Sequence, residues 1–289
     1  MKKTLTVFFA CVLLASANAQ YNVDDFTSNL DSFLEELNAA TPDNAVTGGK
    51  WSDAYIGQLL GVPPHFGVGA SAGLSRFPAK GLYDVFNALD LEFPVDSEDL
   101  VMPTAGIEAR IGGIVFPFDA GIRMMVIPET TMNDLTFDYI LFGIDARYPI
   151  IKGNIVLPAV SVGLGYTYLG GSVGTSVTSS QITGIDMGEW ETSEDLAVSF
   201  KASVIDVSAQ VSKGLFLITP YAGLGATMAF AESSYTVGPL NKTVSANPFG
   251  ARVYGGLSFN LLVLKIDSTV MYNFMSENWA INLGTRVQL

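Results

Sequence analysis

Cysteine is almost missing from this chain. Of 289 residues one is a cysteine, Cys11, which excludes an intrachain disulfide and a multi-thiolate metal site. Histidine is as scarce. His65 stands alone, with no cluster at metal-ligand spacing and no Ser/Asp partner in its sequence neighbourhood, so neither a metal centre nor histidine-based catalysis is expected. No cofactor is called for, and the chain does not read as an enzyme. Charge is low at 15%, and the basic side is the poorer, with 15 Lys and Arg against 28 Asp and Glu. A net charge of −13 argues against nucleic acid as a partner. Long apolar runs are also lacking. Beyond the first residues nothing approaches 18 consecutive apolar positions, which excludes helical membrane spans. Yet 49% of the residues are hydrophobic and mean hydropathy is positive. So much apolar surface without spanning helices is most simply hidden by a lipid-facing β-barrel.

Residues 1–19 have the layout of a signal peptide. Lys2 and Lys3 precede a short apolar run, and Ala17-Asn18-Ala19 offers a small-x-small cleavage site, so the mature chain is expected to begin at Gln20. Residues 20–64 form the next unit. Val23, Phe26, Leu30, Phe33, Leu34 and Leu37 recur at helical spacing, and Pro42 marks the expected end of that helix. A second short helix is expected over 51–60, capped by Ser52. The apolar face of Phe26, Leu30, Phe33, Leu34 and Leu37 fits a plug inside a barrel, a cap over its periplasmic mouth or a dimer contact. Packing within or against the barrel is the favoured choice.

From 65 to 289 the period is two. Ten strands are expected, over 65–74, 104–113, 119–127, 136–148, 154–169, 195–211, 215–231, 251–261, 264–274 and 278–289; eight to fourteen are compatible with the pattern. The apolar face, such as Phe66, Val68, Ala70, Ala72 and Leu74 in the first and Trp279, Ile281, Leu283 and Val287 in the last, points out. In the sixth the apolar phase slips between Val204 and Ile205, which predicts a bulge. Short links alternate with long ones at 75–103, 170–194 and 232–248, as periplasmic turns alternate with outer loops. The fold class is therefore all-β, an antiparallel up-and-down transmembrane barrel behind a helical plug or cap, with the last strand pairing onto the first.

The signal peptide, the amphipathic segment and the alternating strands resemble outer-membrane β-barrel proteins of diderm bacteria. That resemblance implies export to the outer membrane, insertion by the barrel-assembly machinery and a lipid bilayer as surroundings. The helical extension is also loosely similar to that of plugged long-chain fatty-acid transporters.

Inward positions carry charges of both signs: Glu108, Arg110, Arg123, Asp145, Arg147, Lys201, Arg252, Lys265, Asp267 and Arg286. Paired, they would make a salt-bridged filling or a polar path. Arg286 is expected to reach the N-terminal acidic helix. In the first long loop Leu82, Val85, Phe86 and Leu89 share a helical face, which suits a lid or the lining of an apolar pocket. Two functions follow: a barrel that binds or passes a small hydrophobic solute, or a sealed structural barrel whose outer loops face partners.

Overall fold

The computed structural model describes residues 21–48, 50–59, 64–88, 99–132, 135–178, 182–183 and 193–289. The expected leader at 1–19 and Leu89 lie outside them. Ten antiparallel strands close a barrel: β1 (Phe66–Pro78), β2 (Asp99–Gly112), β3 (Asp119–Met132), β4 (Leu135–Lys152), β5 (Ala159–Thr178), β6 (Ser193–Ser212), β7 (Ile218–Val237), β8 (Phe249–Leu261), β9 (Leu264–Asn273) and β10 (Trp279–Gln288). Each strand pairs with the next, and β10 returns to β1 with Leu283 opposite Ala72. The expected ten-strand antiparallel barrel with a helix ahead of it is what forms.

Outward side chains make a belt of exposed apolar residues, among them Val68, Ile107, Ile122, Phe142, Leu164, Leu224, Leu257 and Leu283. Tyr168, Phe230, Tyr272, Phe274 and Trp279 mark its upper edge. A wall of this kind is stable only where something apolar covers it. The four short turns below the belt are apolar as well. Phe116, Ile155, Phe216 and Leu262 stand at their tips, the last at 98% exposure. Phe216 and Leu262 hold φ at +53° and +58°, a region that bulky residues seldom enter.

The upper half differs from this. β5, β6 and β7 continue well above the belt, and there the polarity of the two faces reverses. Val177 of β5, Leu196 and Val198 of β6, and Tyr235 and Val237 of β7 point inward and are buried. They surround helix α1 (Val23–Asn44), whose Phe26, Leu30, Phe33, Leu34 and Leu37 meet Leu82, Val85 and Phe86 of helix α2 (Lys80–Ala88). Each such side chain contributes about 1.5–3 kcal/mol of burial. Asn22 caps α1, accepting the Asp24 N–H at 2.9 Å, with Asp24 and Asp25 in the first turn where the helix dipole favours them. Thus α1 sits inside the long-loop end of the barrel, at the opposite end from the short turns.

Four expectations change. The β6 register with both neighbours runs without a slip, so there is no bulge at Val204. The apolar residues change face because the upper half of β6 packs on α1 and the lower half faces outward. Lys201, on the outer face of that upper half, is therefore not in the lumen; it pairs with Glu232 at 2.7 Å in the open. Helix α1 runs through Pro42 to Asn44. The link 232–248 is a hairpin, in which β7 turns at Gly238 (φ +52°) and returns as Leu240–Ala246.

Gly81 lies where α2 crosses α1, and a Cβ there would collide with the Asn29 carbonyl and the Phe33 backbone. Gly81→Val is expected to cost about 1–3 kcal/mol by overpacking and to expose α1 to limited proteolysis. The barrel's heat-modified gel shift should stay unchanged.

Candidate functional site

Over 45–48 and 50–59 the chain leaves α1 and descends the lumen to the short-turn end as a strap without helix or strand. Of the helix expected at 51–60, the described residues 51–59 form none. The strap's backbone groups are taken by the wall instead: Arg123 donates to the Ala45 carbonyl and, at 3.4 Å, to that of Gly48. Gln210 Nε2 donates to the carbonyls of Trp51 and Ser52 at 2.9 and 3.0 Å, and Arg147 Nη1 to that of Asp53 at 2.7 Å. The N–H groups of Ala54 and Ile56 donate to Ser212 Oγ at 2.9 Å and Asp119 Oδ2 at 3.2 Å. Wall side chains thus do for the strap what a helix would do for itself. Its upper end is tied by Asp43, whose carboxylate accepts from Asn273, Ser276 and Asn278.

The charges that sequence parity turns inward converge on this strap. Arg286 donates to Asp267, to Ser52 Oγ at 2.9 Å and to Asp53 Oδ2 at 2.9 Å, with its guanidinium 4.7 Å from the centre of the Trp51 ring. Lys265 reaches the same Asp53 oxygen at 2.6 Å. Across the lumen Arg110 bridges Asp119 and Asp145, and Arg147 joins Asp119. Arg252 holds Asp206 at 2.5 Å, while Lys50 of the strap stands 3.9 Å from Asp206. Glu108 stands beside Trp51. Nine of the ten expected lumen charges are therefore gathered at or around the strap, Lys201 being the exception. Arg286 does reach the N-terminal segment, though at Ser52 and Asp53 and not at the acidic helix. Leu82, Val85 and Phe86 pack on α1.

Several members of the network escaped the sequence reading. Asp119 opens a strand whose next residue, Ala120, faces out, so parity alone would have placed it inside. Asp206 alternates with the outward Ile205 and Val207. Lys50, Trp51 and Asp53 carried no such signal, because a strap without helix or strand has no periodicity of its own.

A cavity of about 30 Å³ lies among Lys50, Trp51, Arg110, Arg123, Asp145 and Asp206, room for roughly a water or two, and a smaller one of about 10 Å³ lies beside Gly48 and Asn282. Asp145 keeps about a third of its side-chain surface open, but onto the larger cavity.

No protein-family model and no curated protein sequence matches the chain. Among solved structures it is similar to the translocator domain of the autotransporter NalP from Neisseria meningitidis, with 10% identity, a TM-score of 0.45, and 95% of this chain and 100% of that one covered. It is also similar to the outer membrane protease OmpT from Escherichia coli, with 8% identity, a TM-score of 0.46 and coverages of 78% and 97%. Ail of Yersinia pestis matches with 10% identity, a TM-score of 0.31 and coverages of 78% and 98%. The likeness is one of barrel architecture. Similarity to long-chain fatty-acid transporters gains no support.

Arg286→Ala leaves Asp53 and Asp267 without their shared cation, at an expected cost of about 3–5 kcal/mol. Protease cleavage within 45–59 should accelerate, and Arg286→Lys should restore part of the protection.

Proposed function

We propose that this chain is an outer-membrane barrel of a diderm bacterium with a sealed lumen, serving to hold α1, α2 and the β7–β8 hairpin at the cell surface, where they meet partners. The observation that carries this reading is the strap. It runs through the lumen and is held by buried ion pairs at successive levels, which favours a sealed barrel over an open one. The apolar belt supports a lipid bilayer as surroundings, and short turns at one end with long loops at the other support the orientation. The apolar turn tips, with Lys152 and Lys213 beside them, suit the inner headgroup zone, where apolar groups insert and lysines meet phosphates. Asp24 and Asp25 are exposed towards the other end, with Asp84 and Glu232 half-buried there, which favours a basic or neutral partner over nucleic acid. Insertion would fall to the barrel-assembly machinery. Passage of a hydrophobic solute through the lumen would require the strap to leave.

Two cysteine variants test this arrangement in cells. Ser28→Cys, on the exposed side of α1, is expected to react with a membrane-impermeant maleimide in intact cells. Gly214→Cys, in a short turn, should react only after permeabilisation. Reversed labelling would overturn the orientation. Full-length protein in planar bilayers should show background conductance, and steady open channels would overturn the sealed lumen.

A further inference from the structure

The barrel wall is not closed over its whole height. β2 and β3 pair only from Gly106 opposite Met125 down to Gly112 opposite Asp119. Above that level β2 stays with β1 as far as Asp99, and β3 stays with β4 as far as Met132. The wall therefore forks. One local cause is in the sequence: Pro103 and Pro128 stand on the two sides of the fork, and neither has an N–H to give to a ladder. The register of β3 also shifts between Ile127 and Thr130.

A groove of about 620 Å³ fills the fork, within the range of small-molecule sites. Its outer lining is apolar, from Ala72, Leu74, Ala105, Val126 and Ile281, and it reaches in as far as Gly73, Thr104 and Ile127. A second hollow of about 450 Å³ lies lower on the same wall, over Ala109. Small side chains on the outward face of neighbouring strands make this side of the belt concave.

Thr104 is the polar side chain that lines the groove. Its Oγ1 is buried without a hydrogen-bond partner, in a residue 7% exposed. The hydroxyl can donate, and an orphaned buried donor costs about 1–3 kcal/mol; with no cation lining the groove, it suits a neutral acceptor. The Asn282 amide, which lies over Gly73 on the other side of the wall, belongs to the lumen and stands beside Gly48 of the strap.

We propose that the fork between β2 and β3 is a binding site for a neutral, single-chain amphiphile from the surrounding membrane, its hydrocarbon chain in the groove and its carbonyl or hydroxyl oxygen taken by the Thr104 hydroxyl. A hydrocarbon alone would leave that donor unmet. A two-chain phospholipid would bring a second tail and a phosphate for which the groove has no partner. The site is reached from the membrane side, so the sealed lumen does not obstruct it.

The test uses full-length protein in phosphatidylethanolamine nanodiscs and a monoacylglycerol with a diazirine in its chain. Photolabelling should concentrate on peptides containing 104–107 and 124–128. Unlabelled monoacylglycerol should compete, and extra phospholipid or hexadecane should not. Ala105→Phe or Ala72→Phe, which fill the groove from different strands, should each cut labelling about tenfold, equivalent to about 1.4 kcal/mol; Ala209→Phe, elsewhere on the belt, should not. Either groove variant suffices if the other fails to fold. Thr104→Val should weaken competition by monoacylglycerol relative to hexadecane. Labelling spread evenly over the belt, equal competition by phospholipid, or undiminished labelling in the filled variants would overturn the site. An unchanged monoacylglycerol preference in Thr104→Val would overturn the role given to the hydroxyl.

Discussion

The contact of Asp53 with Arg286 and Lys265 is the interaction on which the interior depends. A carboxylate on a strap without secondary structure is brought inside a barrel and given two cations, one from β10 and one from β9. Neither side is stable there alone, since a buried charge without its partner costs several kcal/mol. Arg286 is in turn shared with Asp267 and stacked near Trp51. The strap therefore completes the wall's electrostatics while the wall completes the strap's hydrogen bonding, and lumen and plug become one cooperative unit. The clusters around Asp119 and Asp206 repeat the arrangement at other levels.

The barrel is two environments stacked along one axis. In its lower part the wall is apolar outside and charged inside. In its upper part it is polar outside and apolar inside, and α1 with α2 supplies a hydrophobic core of an ordinary globular kind. The same strands serve both parts, so a residue's face has no fixed meaning along β6. Val198 is core and Val207 is outer surface, although the strand between them is regular.

This explains what could be read from the amino-acid pattern and what could not. Alternation over Phe66–Leu74 and over the last strand was sufficient to place the faces of β1 and β10 and their pairing, because both lie mainly in the lower part. It misled at Lys201, where the assumption that apolar residues point outward fails above the belt. Inward charges were legible by parity, and Arg110, Arg147 and Arg286 could be found that way. Their partners on the strap could not, since Trp51 and Asp53 owe their positions to contacts with strands far along the chain. The fork was equally hidden. Pro103 and Pro128 are visible punctuation, but that both stand above the point where β2 and β3 part is a fact of register.

The path of the strap also has a topological meaning. One end of it is continuous with α1 above the barrel, and the other leads into β1 at the base. The chain passes through a closed ring of ten strands like a thread through an eye, with the bulky knot of α1 and α2 on one side. Such a thread cannot be lost by simple dissociation. Breaking its ion pairs would loosen it within the lumen, but withdrawal requires α1 to unravel through the pore or the β10–β1 seam to part. Assembly has the same two routes in reverse: the seam closes around the thread, or α1 folds only after its segment has passed the ring.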